Sequence, residues 1–147
     1  MSIDNLNKKI LKCLQLNARQ SNAEIGRQVG ISSPAVSERI KKMEDLGIIE
    51  DYKAMVSPFD LGYQFKAIIT LRAFMGKLKP FLEKVKTYDE VINCYRITGD
   101  ENIVMEVVLK NQKHLELFID QLITYGETKT QIVLSRVVKQ KEVKPTA

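Results

Sequence analysis

The chain has 147 residues, enough for one ordinary domain or two small ones, and its 44% hydrophobic and 28% charged composition is globular rather than disordered or fibrous. A formal charge of +5 and a pI near 9.2 fit an anionic partner such as nucleic acid without demanding one. No run approaches the ~20 apolar residues that span a bilayer and no N-terminal signal pattern is present. Cys13 and Cys94 match no metal or redox spacing, so a cytoplasmic protein with two reduced core cysteines is expected.

Ile3 to Leu16 places Ile3, Leu6, Ile10, Cys13 and Leu14 on one helical stripe, with Asp4 available as a cap or first-turn acid. The stretch Ser21 to Gly47, SNAEIGRQVGISSPAVSERIKKMEDLG, then reads as two short helices joined by a tight turn. Ser21 and Glu24 have the form of a capping box, Ile25 and Val29 share a face, and Gly30 accepts the positive φ of a helix end. Ser32 or Ser33 caps the next helix, and Pro34 suits its first turn. Val36, Ile40, Met43 and Leu46 form its apolar stripe, and Gly47 ends it.

This arrangement is a helix-turn-helix, and the outward face of its second helix decides what it can do. At ~100° per residue, Pro34, Glu38, Lys41 and Asp45 point away from the core, flanked by Ala35, Ser37 and Lys42. Small and polar residues in the N-terminal half are what close approach to base edges in a major groove requires. Arg39 lies about 60° from the inward direction, which favours a phosphate or an internal carboxylate over a base. Residues 1–60 carry nine Lys or Arg against eight acids, a net of +1, and the remainder fourteen against ten, a net of +4. Arg19 to Lys42 nevertheless holds five basic residues against two acids, so the local surface is positive.

Ile48 to Val56 reads as a short hairpin or connecting strand, a wing. The turn-rich SPFDLG at 57–62 then breaks the chain. Gln64 to Phe74 alternates as a strand, with Phe65, Ala67, Ile69, Leu71 and Ala73 on one face. Leu78, Phe81, Leu82 and Val85 have helical spacing. Val91 to Thr98 and Ile103 to Leu109 are strands around a Gly99-Asp100 turn, Leu115 to Ile123 is a helix, and Thr128 to Val138 is a last strand. The order βαββαβ predicts a ferredoxin-like domain, an antiparallel four-stranded sheet with both helices on one face. The expected fold class is therefore α+β: a winged helix-turn-helix domain at 1–60, a ferredoxin-like domain at 61–138 and a flexible tail at 139–147. Apolar residues on both sheet faces predict that a second copy covers the helix-free side, giving a two-fold homodimer.

Taken together, IDNLNKKILKCLQLNARQSNAEIGRQVGISSPAVSERIKKMEDLGIIEDYKAMV, LGYQFKAIITL, YRITGDENIVMEV and TQIVLSRVV resemble the Lrp/AsnC family of feast/famine transcriptional regulators over Ile3 to about Val138. The resemblance implies a winged helix-turn-helix that binds double-stranded DNA, a hinge strand, and a C-terminal domain that dimerises and binds a small effector, usually an amino acid. It also implies further assembly, often into octameric rings. Carried onto this sequence, it puts Ser32, Ser33, Ala35, Ser37, Glu38, Arg39, Lys41 and Lys42 in the recognition region, with Ser33, Ser37, Glu38 and Lys41 as candidates for base contacts. Arg19, Ser21 and Arg27 are placed for phosphates. Thr98, Gly99, Asp100 and Asn102 match the effector loop, with Gln131, Val133 and Ser135 on the last strand. The family turn is often Gly-Asp-x-Asp, and Asn102 stands at its second acid, which removes an expected partner for an amino group.

No catalytic constellation is evident: His114 is the single histidine, without Cys or His at ligand spacing, and no phosphate loop or paired-carboxylate motif is present. An enzyme is not expected, nor a metal, a cofactor or a membrane partner. The competing reading is an architectural, nucleoid-like protein that coats DNA without an effector. Effector-sensitive operator binding separates the first reading from uniform, salt-dependent coating.

Overall fold

The computed structural model describes residues 3–146 and divides into two compact units, Met55–Val137 and a unit made of Met1–Ala54 with Val138–Ala147. The N-terminal unit is built on three helices: α1 (Asn5–Leu16), α2 (Asn22–Val29) and α3 (Ser33–Asp45). Their starts are set by local chemistry. Asp4 accepts the Asn7 N–H, Ser21 accepts the Glu24 N–H and Ser32 accepts the Ala35 N–H, so each first turn has a side-chain cap. Of the two candidate serines, Ser32 is the cap.

The stripes meet as the spacing predicts: Ile10, Cys13, Ile25, Val29, Val36 and Met43 are buried together, with Leu14 and Ile40 packed against them. Leu46, expected to extend the α3 stripe, is instead 53% exposed. The chain reverses at Gly47, φ 75°, and Ile48 and Ile49 both donate their N–H groups to the Met43 carbonyl. That returns the two isoleucines to the core in place of Leu46. The expected hairpin or strand at 48–56 does not form; residues 50–57 have no regular structure. A strand needs a ladder partner, and none is recorded for this segment among the described residues.

The second unit pairs β1 (Phe65–Ala73), β2 (Val91–Arg96), β3 (Ile103–Leu109) and β4 (Gly126–Ile132) in the order β2-β3-β1-β4, every neighbour antiparallel. The helices α4 (Leu78–Lys84) and α5 (Gln112–Leu122) cover one face. Phe81 and Phe118 are fully buried among Ala67, Ile69, Leu71, Ile103, Met105 and Val107. Each such phenyl ring is worth about 1.5–3 kcal/mol relative to exposure. Tyr88 meets Phe118 edge to face at 5.4 Å, and Asn111 caps α5 by accepting the His114 N–H. His114 itself is held locally, its Nε2 2.9 Å from Glu90 and its Nδ1 accepting the Lys110 N–H.

Two strand expectations are corrected. The last strand ends at Ile132, six residues before Val138, because Ala67 pairs with Ile132 and the Val133 N–H reaches Lys66 at the start of β1. Beyond that point only Phe65 of β1 remains, and Leu134 and Val137 are exposed. The helix-free sheet face is not uniformly apolar either. Ile68, Val104 and Tyr95 share it with the Lys66–Glu106 and Arg72–Glu127 pairs, at 3.7 and 3.5 Å.

Candidate functional site

The turn between α2 and α3 orients the exposed face of α3. Gly30 ends α2 in the left-handed region, φ 82°, and Gly30 and Ile31 both donate to the Gly26 carbonyl. The backbone of Ile31 folds so closely over Gly26 that a Cβ there would lie 2.5 Å from the Ile31 carbonyl oxygen. Gly26 is buried and was not singled out by spacing, because a close backbone approach leaves no periodic trace.

On α3, Ser33, Ser37, Glu38, Lys41 and Lys42 are exposed, while Ala35 and Arg39 are half-buried. Arg39 turns back to the bundle, donating to Asp4 at 2.8 Å and to Asn7 at 3.1 Å. Ser21 and Ser32 have their hydroxyls engaged as helix caps, and Lys41 pairs with Asp45 at 3.3 Å, one turn away and exposed. Arg19 and Arg27 are exposed outside α3. Ser37 and Lys41 border a cleft of about 300 Å³ whose other walls include Gln20, Asn22, Glu44 and Tyr52. Tyr52 donates its hydroxyl to Glu44 at 3.1 Å, and burial followed by that carboxylate pushes its pKa up. None of these four was legible as a site residue, because each needs the helices assembled before it meets Ser37.

The Asp4 carboxylate caps α1 with one oxygen and holds Arg39 with the other. The Arg39 hydrogen bond, then the Asn7 backbone, keeps its pKa below the ordinary aspartate value of 3.8. A lowered folded-state pKa stabilises above the unfolded value, and that contribution is lost as pH falls through the folded one. Asp4→Asn keeps a capping oxygen but not the charge. It is expected to lower the melting temperature of the helical unit near pH 7, by an amount that shrinks below 3.8 and vanishes under the lowered pKa. A deficit unchanged at the acid end would show that charge is not its source.

In the second unit, the Ile97 N–H donates to the Asn102 carbonyl and closes the loop that carries Thr98, Gly99 and Asp100. The Asn102 N–H donates to the Leu71 carbonyl, and its side-chain Oδ1 accepts the Ala73 N–H at 2.7 Å. Asn102 thus ties the loop to β1. Asp100 is exposed and borders a cleft of about 160 Å³ with Arg72, Glu101, Glu127, Thr128 and Lys129. Lys129 meets Glu101 at 2.8 Å, which lowers the Glu101 pKa and raises that of Lys129. Of the seven effector-loop and last-strand candidates, only Asp100 lines this cleft. Gln131 is exposed on β4, and Val133 and Ser135 lie beyond its end. The charged lining comes from cross-strand neighbours such as Arg72 and Glu127, which the sequence cannot align until the strand order is known.

Among the described residues no helix is long and apolar enough to cross a membrane, and no cluster of metal-ligating side chains is present. The family model for winged helix-turn-helix DNA-binding matches residues 3–50, and that for the Lrp/AsnC ligand binding domain matches residues 66–143. The HTH-type transcriptional regulator LrpB of Bacillus subtilis is 32% identical over 141 residues, 95% of this chain and 93% of that protein. The structure of E. coli AsnC superposes with a TM-score of 0.86 at 31% identity, covering 99% of this chain and 100% of that one. A regulator from Neisseria meningitidis, NMB0573, solved as a complex with L-Met, gives a TM-score of 0.88 at 26% identity, with 94% of each chain covered. A helix-turn-helix with a polar outer face, followed by a matching ligand-binding domain, means that this chain belongs to the Lrp/AsnC family of transcriptional regulators.

Proposed function

We propose that the chain is a sequence-specific regulator that reads the major groove with α3 and responds to a small zwitterion of the amino-acid class. The observation that carries this reading is the division of labour on α3: Arg39 is spent on the bundle, while Ser33, Ser37, Glu38, Lys41 and Lys42 stay in solvent. Ser33, Ser37, Glu38 and Lys41 are the base readers, with Ala35 allowing close approach and Arg19, Arg27 and Lys42 on phosphates. The partner is chromosomal DNA, which puts the protein at the nucleoid.

The effector assignment is supported by charge in the 160 Å³ cleft. Glu101 and Glu127 have cation partners within it, and Asp100 has no ion pair among the described residues. A ligand ammonium has Asp100 to bind, and a ligand carboxylate has Arg72 and Lys129 in the same lining, where it would share them with Glu127 and Glu101. Because Asn102 serves the Ala73 N–H, its lack of a carboxylate does not empty the cleft of acids. The solved likeness of the L-Met-bound regulator supports the same chemical class. A homodimer through the helix-free sheet face, assembling further to an octamer, is part of this reading. Ile68, Val104 and Tyr95 supply the apolar area, and two recognition helices would meet half-sites ~34 Å apart or a multiple of it.

The test is light-scattering mass with each amino acid in turn, paired with operator binding under the same conditions. One amino acid is expected to shift both. Indifference of both to every amino acid would favour an effector-independent architectural protein. Within the operator complex, Lys41→Ala or Glu38→Ala is expected to reduce discrimination against substituted sites about tenfold while non-specific affinity changes less. An equal loss on random DNA would remove those residues from base readout.

A further inference from the structure

The charge of this protein is distributed differently in space than along the chain. The unit made of 1–54 and 138–147 carries twelve Lys and Arg against eight acids, net +4, while 55–137 carries eleven against ten, net +1. Half of that excess comes from the C-terminal segment, where Lys139, Lys141 and Lys144 face a single acid, Glu142.

This segment has a seat on the helical unit. The chain bends at Gln140, φ 42°, and Val143 is clasped by the side-chain amide of Gln15. Gln15 Nε2 donates to the Val143 carbonyl at 3.0 Å, and Gln15 Oε1 accepts the Val143 N–H at 2.8 Å. Both hydrogen-bonding edges of the amide are used, as a strand partner would use them, and Glu142 and Pro145 are half-buried beside the contact. On α1, Lys8, Lys12 and Gln15 fall about 140–160° from the fully buried Ile10 at ~100° per residue, so they form the outer stripe of the helix. No ion pair holds any of Lys8, Lys9, Lys12, Lys139, Lys141 or Lys144 among the described residues. Asp4, the one acid at the start of α1, is occupied by Arg39.

We propose that the outer stripe of α1 and the clasped C-terminal strap form a second, sequence-independent surface for the phosphate backbone of duplex DNA. It is carried by α1 and the strap rather than by α3, with which α1 shares its buried side. The surface holds a duplex segment flanking the one that α3 reads. This inference rests on the DNA-binding reading above. Lysines suit it, being point charges that neutralise phosphates and release counterions without reading sequence.

The full-length protein is titrated against two duplexes, one just covering the recognised half-sites and one extended by several turns at each end, over a range of salt. The test variant combines Lys8→Gln, Lys12→Gln, Lys141→Gln and Lys144→Gln. On the long duplex its affinity is expected to fall at least about tenfold near 0.1 M salt, and its log K against log salt slope to become shallower by about 3–4 for each protomer engaged. On the short duplex it should stay within about twofold of wild type, with the same site preference. Gln15→Leu keeps every lysine but unclasps the strap, and is expected to lose about half of that slope change, again on the long duplex alone. Equal losses on both duplexes, or no loss on the long one, would overturn the second surface. Wild-type protein that binds neither duplex would instead overturn the DNA-binding reading itself. Intact long-duplex binding by the fourfold variant, with binding to phosphatidylserine vesicles abolished, would overturn the DNA assignment in favour of an anionic lipid.

Discussion

Gly26→Ala is expected to abolish site-specific DNA binding while leaving the second unit folded. The added Cβ would sit 2.5 Å from the Ile31 carbonyl oxygen and 3.5 Å from the Ser32 carbonyl carbon, both backbone atoms. A flexible side chain could step aside; a backbone that also carries the Ile31 N–H to Gly26 O bond and the Ser32 cap of α3 cannot move alone. Overpacking of this kind costs about 3 kcal/mol, offset by about 1 kcal/mol of better helix propensity. The net loss of about 2 kcal/mol would fall on the seating of α3 against α2, and therefore on the direction in which Ser37 and Lys41 point. Thermal melting of the helical unit and operator titration together check it. Gly30→Ala is the control: its φ of 82° is strained for alanine, but nothing lies within 4 Å of its Cβ position. The strain there is about 1–2 kcal/mol, without a displaced backbone. Operator binding that survives in Gly26→Ala would show that the turn can relax without turning α3.

Gly126→Ala is expected to detach the start of β4 and with it the wall of the charged cleft. Gly126 pairs with Ala73 across the β1–β4 ladder, and its Cβ would lie 2.3 Å from the Arg72 carbonyl oxygen and 2.9 Å from the Ala73 Cα. β4 is an edge strand, held by a neighbour on one side only, so relief comes by peeling it from β1. The penalty is about 3 kcal/mol or more, a large fraction of the stability of a small domain. Separation would also part Arg72 from Glu127, and it would move Lys129 relative to Asp100. Amide exchange should show lost protection at Lys129 and Gln131, whose N–H groups face β1 in this register, and any amino-acid response of the protein should disappear with it. Unchanged protection of these amides would mean that the Arg72 backbone gives way without cost to the sheet.

These two glycines mark where sequence reading stops. Gly30 and Gly47 announce themselves because they follow an apolar stripe at a helix end, and the chemistry of that end is complete within a few residues. The same locality made Ser21 readable as a cap, narrowed the α3 cap to Ser32 or Ser33 and Asp4 to a cap or first-turn acid, and let the 3.6-residue period find Ile10, Ile25, Val36 and Met43. Alternation likewise found the inward face of β1, Ala67, Ile69 and Leu71, because every second residue of a half-covered strand must be apolar. The resemblance over nearly the whole chain added the family.

By itself, then, the sequence determined the elements whose causes are short-range: three capped helices, a βαββαβ order, a polar outer face on α3 and a loop bearing Asp100. Tertiary structure decided what depends on partners distant in the chain. It ended β4 at Ile132, where its ladder with β1 stops opposite Ala67, and left 50–57 without a ladder. It turned Arg39 from the outer face to Asp4, and it placed Asn102 on the Ala73 N–H. It also set Arg72, Glu127 and Lys129 beside Asp100 and brought Val143 to Gln15. Hydrogen bonds and ion pairs act over a few ångströms of space, and only folding decides which residues far apart in the chain come within that range.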